Sequence, residues 1–285
     1  MKRVICVKSC LLVVITILAS FSVSIVSVNS SNNSEQAFIT HNPIIINGNS
    51  EFLSFVSSDS LSGSGTSNDP YIVENLLLNS SSDIQISIKN VDLYFIIQNN
   101  IIENGNKQGI LLDTVSNAII KGNQLSDNTG DAINVIDSSN IIISNNLIQN
   151  TKGTSTSLNK YGRVDFPFTM DIAYSDNILV EKNTLNHNYD GIWFWLNTNN
   201  SIMRENIVNG STTFEGLGIG GLGAHDDIVE DNIVTNITRY AIWSYSANNS
   251  IIKNNSIAKA VDGIRIDASK FLDIRNNTVE NTNTY

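Results

Sequence analysis

Short apolar runs rich in isoleucine and valine alternate with turns of asparagine, aspartate, glycine and serine along most of the chain. Eight of these runs share one pattern, as in YFIIQNNII, NIIISNNLI and NSIIKNNSI, with an asparagine at the seventh position. The shared asparagines are Asn100, Asn123, Asn146, Asn183, Asn206, Asn232, Asn255 and Asn277. Their successive spacings are 23, 23, 37, 23, 26, 23 and 22 residues, which indicates an internal repeat.

A small residue followed by isoleucine comes eight or nine residues after most of these asparagines. The pairs are Gly109-Ile110, Ala132-Ile133, Gly191-Ile192, Ala241-Ile242 and Gly263-Ile264, and Gly218-Ile219 is displaced by a short insertion. Helical periodicity is absent, and the repeat is too short for a four-stranded propeller blade. The pattern therefore predicts an all-β parallel β-helix whose coils of ~22–23 residues stack about 4.8 Å apart.

The repeated asparagines have a structural explanation in such a fold. Asparagine tolerates left-handed backbone angles at a turn and can hydrogen-bond to neighbouring backbone groups. When one asparagine recurs at the same position of every coil, the side-chain amides can also bond each other along the axis. We therefore expect an asparagine ladder and assign these residues no role in catalysis.

Several stretches of the chain are similar to a known family. The repeats NIIISNNLIQN and NSIIKNNSIAKAVDGIRI resemble the right-handed parallel β-helix repeats of the NosD-like and carbohydrate-binding/sugar-hydrolase group, and GSGTSNDPYIVENLLL (63–78) resembles the segment that opens many such helices. The resemblance covers roughly residues 40–285 and implies a single-stranded, right-handed β-helix. It leaves the function open, because this fold hosts lyases, hydrolases, epimerases, adhesins and binding proteins.

The N-terminus has the order of a secretory signal. Lys2, Arg3 and Lys8 precede an apolar run that starts at Leu11 and fades into serine and asparagine. The run is also long enough for an uncleaved membrane anchor. We expect residues 1–30 to be a signal peptide or an anchor, with no other contact to a membrane, and the protein to be secreted or at the cell envelope.

The rest of the chain divides into a capping segment and the repeats. We expect residues 31–80 to open the β-helix and residues 81–285 to form its coils, with an inserted loop at 151–168 that explains the 37-residue spacing. Because the last residues, NNTVENTNTY, fall within a coil, we expect a further C-terminal domain or a partner to cap it.

Two tryptophans in DGIWFWLN (190–197) occupy alternate positions, which share one face of a strand. Aligned on the small-residue–isoleucine step, one outward column reads Leu111, Asn134, Asp171, Trp193, Gly220, Trp243 and Arg265. The next outward column reads Asp113, Ile136, Ala173, Trp195, Leu222, Tyr245 and Asp267. The alignment predicts an exposed aromatic patch with a trough floored by GLGIGGLGAH (216–225).

An exposed aromatic patch bordered by carboxylates and arginines suits the apolar faces and hydroxyl groups of sugars. The predicted ligand-binding residues are Trp193, Trp195, Trp243, Tyr245, Arg265, Asp267 and Arg163. Two alternatives remain at this point: a loop of the protein covers the rings, or the alignment is shifted by one residue.

Catalysis on this face would need two carboxyl groups about 5–10 Å apart for a glycosidase. Asp171 with Asp190 or Asp165 is the candidate set. A polysaccharide lyase would use a base such as Arg163 or Arg265 and carboxylates that hold Ca²⁺. Neither arrangement has a specific motif, so we predict no cofactor unless the protein is a lyase.

Composition excludes some partners. The formal net charge is −10 and no basic groove is visible, which argues against nucleic acid. The only cysteines are Cys6 and Cys10, and His41, His187 and His225 occupy different positions in their repeats. We therefore predict no metal site, and disfavour the copper-site maturation role that the NosD-like resemblance implies. The preferred function is polysaccharide or cell-surface glycan binding; the alternatives are a carbohydrate-active enzyme and a copper maturation protein.

Overall fold

The structure is a computed structural model that describes residues 37–153, 157–158, 164–165, 168–213 and 216–283. In chain order the elements are β1 (Ile39–Thr40), β2 (Ile44–Asn47), α1 (Asn49–Asp59), β3 (Tyr71–Glu74), β4 (Leu76–Asn79), β5 (Ile84–Val91), β6 (Phe95–Gln98), β7 (Ile101–Glu103), β8 (Gln108–Val115), β9 (Ala118–Lys121), β10 (Gln124–Ser126), β11 (Ile133–Ile136), β12 (Ser139–Ser144), β13 (Leu147–Gln149), β14 (Ser157–Leu158), β15 (Val164–Asp165), β16 (Met170–Ala173), β17 (Asp176–Glu181), β18 (Thr184–Asn188), β19 (Ile192–Phe194), β20 (Ile202–Arg204), β21 (Ile207–Ser211), β22 (Leu217–Leu222), β23 (Ile228–Glu230), β24 (Ile233–Tyr245), β25 (Ile251–Lys253), β26 (Ser256–Asp267), β27 (Asp273–Arg275) and β28 (Thr278–Glu280).

The strands stack in parallel on three faces of a solenoid of about eight turns. Face A contains β2, β5, β8, β11, β16, β19, β22 and the C-terminal parts of β24 and β26. Face B contains β1, β4, β7, β10, β13, β18, β21, the N-terminal parts of β24 and β26, and β28. Face C is the nine-stranded sheet of β3, β6, β9, β12, β17, β20, β23, β25 and β27. The predicted all-β parallel β-helix is confirmed.

The core lies inside the coils because one side of every short strand points inward. On face A the isoleucine of the small-residue–isoleucine step is buried in successive coils, and Met170 takes that position in the coil that follows the insertion. The members of this column are Ile110, Ile133, Met170, Ile192, Ile219 and Ile242. The spacing of the repeat thus places one aliphatic side chain above another at each step.

The predicted asparagine ladder is confirmed at the turn between faces C and B. The backbone N–H and side-chain Nδ2 of Asn123 both donate to Oδ1 of Asn146 at 3.0 Å, and the same pair of bonds repeats from Asn100 to Asn277. Nδ2 of Asn123 also donates to the carbonyl of Ile97. The left-handed φ belongs to the preceding residue, which is a lysine at 182 and a glutamate at 205. The ladder asparagine therefore supplies hydrogen bonds, and its neighbour supplies the turn.

One helix, which the repeat pattern did not predict, belongs to the N-terminal segment. Helix α1 begins after Gly48 and ends at Ser60, a left-handed residue whose N–H donates to the carbonyl of Val56. Phe52 is fully buried and packs against Phe95 with ring centroids 5.1 Å apart. Because Phe52 belongs to the same core as the coils, α1 anchors the N-terminal end of the described solenoid.

The inserted loop leaves the solenoid between two positions that adjoin in the previous coil. Gln149 pairs with Ser126 and Met170 pairs with Ile133, so Gly153 aligns with Gly130 and Phe168 with Asp131. The extra residues are therefore 154–167, inside the predicted range of 151–168. Within them β14 and β15 form an antiparallel hairpin.

A second column, at the start of face C, changes from aliphatic to polar residues along the axis. It reads Ile141, Ile178, Ser201, Asp227 and Ser250. Burial raises the pKa of Asp227 to about 8, although its carboxylate accepts the N–H of Ser201 at 2.9 Å. A cavity of about 30 Å³, the size of one water molecule, lies beside Asp227, Ala224 and Ala247. Asp227 therefore borders a small cavity at the position where earlier coils place isoleucine.

Candidate functional site

The strand pairing on face A reproduces the predicted outward columns. Asp171 pairs with Trp193, Trp193 with Gly220, Gly220 with Trp243 and Trp243 with Arg265. In the next column Leu222 pairs with Tyr245 and Tyr245 with Asp267. Phe194, between the two tryptophans of β19, lies in the core of the coils. The two rings of GIWFWLN therefore lie on the outer side of face A, as the alignment predicted.

Six rings on this side form one aromatic cluster, made of Phe168, Trp193, Trp195, Tyr240, Trp243 and Tyr245. The rings of Phe168 and Trp193 are stacked, with centroids 5.4 Å apart and planes 7° apart. Trp193 contacts Trp243 at 5.5 Å, and Trp243 in turn contacts Tyr245 at 5.9 Å. The buried part of this cluster, Phe168, Trp193, Leu217 and Tyr240, is separate from the core inside the coils.

The prediction that Trp193 is exposed is wrong, since only 2% of this residue is accessible. Phe168, which follows the insertion, stacks on its ring. The predicted glycine-floored trough is wrong for a related reason: a Cβ on Gly220 would lie 2.2 Å from Cζ3 of Trp193, so the indole fills the space above the glycine. Trp193 holds the cluster together and is not available to a ligand in this conformation.

The accessible part of the cluster lies further out. Tyr245 is 38% exposed, and Trp195 and Trp243 are half-buried, as is Leu222. These four residues, the aromatic surface, belong to three successive coils. Flat rings with one open side provide contact area to a ligand at little loss of conformational entropy.

Two indole N–H groups of the cluster lack an acceptor among the residues that the structure describes. They are Nε1 of Trp193 and Nε1 of Trp195, both shielded from solvent. By contrast, Nε1 of Trp243 donates to Oδ2 of Asp267 at 2.8 Å. A buried donor with no acceptor destabilises a fold by about 1–3 kcal/mol.

The candidate catalytic carboxylates occupy different environments. Asp171 is 2% exposed and is the strand neighbour of Trp193. Asp190 accepts the N–H of Leu217 at 2.7 Å, and in the same way Asp131 accepts the N–H of Phe168 at 2.9 Å. Asp190 and Asp131 therefore connect one coil to the next, which is a structural function.

Arg265 and Asp267 form an ion pair at the C-terminal edge of the aromatic surface. Nε of Arg265 donates to Oδ2 of Asp267 at 2.6 Å, and Nη1 donates to the hydroxyl of Tyr240 at 2.8 Å. The hydrogen bonds from Arg265 and then from Trp243 lower the pKa of Asp267, and the bond to Asp267 raises the pKa of Arg265. Both side chains are therefore charged, and each is engaged with the protein.

Two residues of the cluster, and one arginine that contacts it, were not found from the sequence. Phe168 was counted with the inserted loop, and its position is evident only when 168 is aligned with Asp131 and Asp190. Tyr240 falls in the same column because it pairs with Leu217, which aligns with Asp190. Arg239 lies over the ring of Tyr240, 4.6 Å from its centroid. A third outward column in the alignment would have shown Phe168 and Tyr240.

For two predicted site residues, Arg163 and Asp165, the structure describes no side chain. Arg163 lies outside the described residues, and Asp165 is described only as part of the backbone of β15. In the described part of the chain, no group of three or more His, Cys, Asp and Glu residues is arranged to hold a metal ion. The predicted signal or anchor, 1–30, lies outside the described residues, and none of the helices described from residue 37 onward is long and apolar enough to span a membrane.

Comparisons with solved structures show the same fold at low sequence identity. An alginate lyase from Paenibacillus sp. str. FPU-7 has 15% identity and a TM-score of 0.58 over 77% of this chain and 85% of that one. The periplasmic alginate epimerase AlgG has 14% identity and a TM-score of 0.58 over 73% of this chain and 50% of that one. XylC in complex with xylose has 14% identity and a TM-score of 0.50 over 70% of this chain, and the chain spans only 39% of that protein.

No curated protein matches the chain in sequence. The family model described as "Right handed beta helix region" matches residues 15–166 and 170–285, which together are most of the chain. The right-handedness that the family resemblance implies is therefore shown as well as the architecture. The chain belongs to the right-handed β-helix family.

Proposed function

We propose that the chain binds a polysaccharide on the outer side of face A, and that it binds without cleaving. The observation that carries the proposal is the aromatic surface, where Trp195, Trp243 and Tyr245 are accessible on a rigid stack of strands. Aromatic rings offer flat apolar area that matches the C–H faces of sugar rings. The similar alginate lyase, alginate epimerase and xylose complex support the same class of ligand by analogy of fold.

The aromatic surface extends along the axis of the solenoid. In the column of Trp195, Leu222 and Tyr245, the preceding coils contribute Ala173 and Ile136, which are apolar but buried. The accessible part of this apolar column spans three coils, or roughly 10 Å at the usual strand spacing. An extended chain lying along this column would contact several coils at once, which favours a polymer over a monosaccharide.

Binding is favoured over catalysis because two of the three candidate acids, Asp171 and Asp190, are buried. Asp190 is held by the N–H of Leu217, and Asp171 lies beneath the surface next to the buried Trp193. A carbohydrate-active enzyme remains the alternative, with Asp171 as the acid nearest to the aromatic rings. It predicts products from a bound glycan, and their loss in Asp171→Asn with binding retained.

The test is a glycan panel with the full chain and matched variants. Tyr245→Ala should weaken binding of the recognised glycan by about 1 kcal/mol, or about fivefold in Kd, and Trp243→Ala by more. Tyr94→Ala is the control, because Tyr94 is 37% exposed outside the cluster. Equal affinity of Tyr245→Ala and wild type, or no glycan bound at all, contradicts the proposal; released products convert it into the enzyme alternative.

The location that fits this function is outside the cytoplasm, where polysaccharides and surface glycans are found. The charged and then apolar order of residues 1–30 supports export. N-terminal sequencing of the protein from the medium and from the envelope fraction distinguishes a cleaved signal from a retained anchor. Recovery of the whole protein from the cytosol contradicts both.

A further inference from the structure

The charged groups around the aromatic surface restrict the kind of glycan that fits it. Arg265 is the cation on the strand next to Trp243 and Tyr245, and three contacts already engage it. It bonds Asp267 at 2.6 Å, lies 3.9 Å from Asp262 and donates to the hydroxyl of Tyr240. Its guanidinium also lies over the Tyr240 ring at 4.8 Å. Arg265 therefore fixes the cluster and has little capacity left to pair with an anionic ligand.

The other cations near this face are engaged in the same way. Arg239 lies over the same Tyr240 ring, 4.6 Å from its centroid. At the opposite end of the apolar column, Nζ of Lys89 lies 3.8 Å from Oδ2 of Asp113. Both ends of the column thus present ion pairs whose positive member is matched by a carboxylate of the protein.

Carboxylates outnumber cations on the outer side of face A. Its outward columns contain six aspartates against two cations, Lys89 and Arg265. Of these aspartates, Asp113, Asp262 and Asp267 are half-buried, whereas Asp131, Asp171 and Asp190 are buried. The whole chain has the same sign, with a formal net charge of −10. A ligand with one carboxylate on every sugar would meet like charge at both ends of the apolar column, where Asp113, Asp262 and Asp267 are partly accessible.

We infer that the aromatic surface takes a neutral polysaccharide and discriminates against uronic acid polymers. This inference rests on the proposed function. Neutral sugars place their C–H faces on Trp195, Trp243 and Tyr245, and their hydroxyl groups can donate to the carboxylates that border the rings. A polyuronate offers similar ring faces, but its carboxylates find no uncommitted cation among the described residues of this face.

The experiment compares oligosaccharides of equal length from both classes on the full chain. The neutral probes are xylohexaose, cellohexaose and mannohexaose; the acidic probes are hexamers of galacturonate and mannuronate. We expect at least one neutral probe to bind at least about tenfold more tightly than either acidic probe at low salt. Its affinity should change less than about twofold when salt is raised to about 0.5 M, because no charge pair with the ligand is screened.

The cause is tested with Asp267→Asn, which removes the strongest partner of Arg265. The ratio of acidic to neutral affinity should rise by about fivefold or more at low salt and fall back at high salt. The matched control is Asp273→Asn, because Asp273 pairs with Arg275 two residues away on face C. That variant should leave the ratio unchanged.

The outcomes separate the inference from the proposed function. Tighter binding of an acidic probe by the wild type overturns the inference and leaves glycan binding in place. A ratio that does not move in Asp267→Asn, or moves equally in Asp273→Asn, also overturns it, since the charge of Arg265 is then not the determinant. Failure of every probe of both classes contradicts the proposed function itself.

Discussion

Trp193 points away from the coils and is nevertheless buried, because the ring of Phe168 stacks on it and its own edge fills the space above Gly220. We expect Trp193→Ala to lower the free energy of unfolding by about 3–5 kcal/mol, as for other large buried aromatic residues. Trp193→Phe should cost much less, since it keeps most of the ring contacts and removes an indole N–H without a described acceptor.

Urea unfolding of both variants, followed by intrinsic fluorescence and circular dichroism, measures this difference. Tyr245→Ala serves as the comparison, because its ring belongs to the same cluster and is 38% exposed. If Trp193→Ala is no less stable than Tyr245→Ala, the burial of Trp193 does not contribute to the free energy of unfolding, and the prediction is contradicted.

The sequence was sufficient for the direction of each ring and insufficient for its exposure. The repeat gives the alignment of Trp193 with Asp171 and Gly220, and the pairing confirms it. Exposure depends on Phe168, which follows a 14-residue insertion and which the alignment places beside Trp193 only when a third outward column is compared. Likewise, a glycine at 220 predicts an open floor only if no neighbouring side chain extends over it.

At the scale of elements, the asparagine ladder is a continuous column of buried hydrogen bonds. Asn123→Ala removes the acceptor for two donors of Asn100 and the donor to the carbonyl of Ile97. We expect a loss of at least about 2 kcal/mol in the free energy of unfolding, because each unsatisfied buried group costs about 1–3 kcal/mol.

The control for this prediction is Gln124→Ala, one residue further along and exposed. It should change stability by less than about 0.5 kcal/mol. Chemical denaturation of the two variants side by side decides the matter, and equal losses contradict a role for the ladder.

Asp227 replaces an aliphatic or hydroxyl residue in its column and makes stability depend on pH. Its pKa is raised to about 8 in the fold from 3.8, chiefly by burial, and Asp226 and Asp176 raise it further. The folded protein keeps the proton while the unfolded chain loses it, so the stability that this group contributes is present below pH 4 and is lost as pH rises toward 8.

We therefore expect Asp227→Ser, which matches Ser201 and Ser250 in the column, to gain stability relative to wild type as pH rises from about 4.5 to 8.5. The relative gain should reach at least about 2 kcal/mol, since each pKa unit corresponds to about 1.4 kcal/mol. Asp227→Asn, which keeps the size of the side chain, should show the same trend. Denaturation curves at several pH values with a constant difference between variant and wild type contradict this assignment.

Strand positions were predictable because each coil repeats the same short sequence, whereas the unrepeated elements were not. Helix α1 occurs once, so no repeat of the sequence predicts it. It is fixed by the contact of Phe52 in its first turn with Phe95, from a distant part of the chain. The left-handed turn was assigned to the ladder asparagine, but the repeat itself accepts lysine and glutamate at the residue that adopts it. Stacking between coils therefore overrides the unfavourable energy of a left-handed backbone at lysine and glutamate.

At the scale of the whole molecule, the stack continues across the insertion as if it were absent. Bonds of the ladder and of face C join residues 37 apart in sequence with the same geometry as those 23 apart. We expect deletion of residues 154–167, which joins Gly153 to Phe168, to leave a folded β-helix. The joined positions align with Gly130 and Asp131, which are consecutive in the preceding coil.

The measurement is the β-sheet signal in circular dichroism and the cooperativity of thermal unfolding of the deletion variant against wild type. A matched deletion of equal length within the coils, from 232 to 245, removes all of β24 and should abolish folding. Loss of structure in the 154–167 variant as well would show that the insertion is required for the stack.

The chain leaves the stack of coils after Gly153 and returns at Phe168 without a shift in strand register. The segment between these residues can therefore be exchanged without changing the coils. Its length and composition can change while the strand pairing on either side keeps the same register. Selection on the ligand that the molecule recognises is therefore independent of selection on its folding. The same property makes this position suitable for loop grafting, because a foreign loop inserted there would be held at both ends by the coils. A library of such loops would sample new binding specificities on one unchanged scaffold.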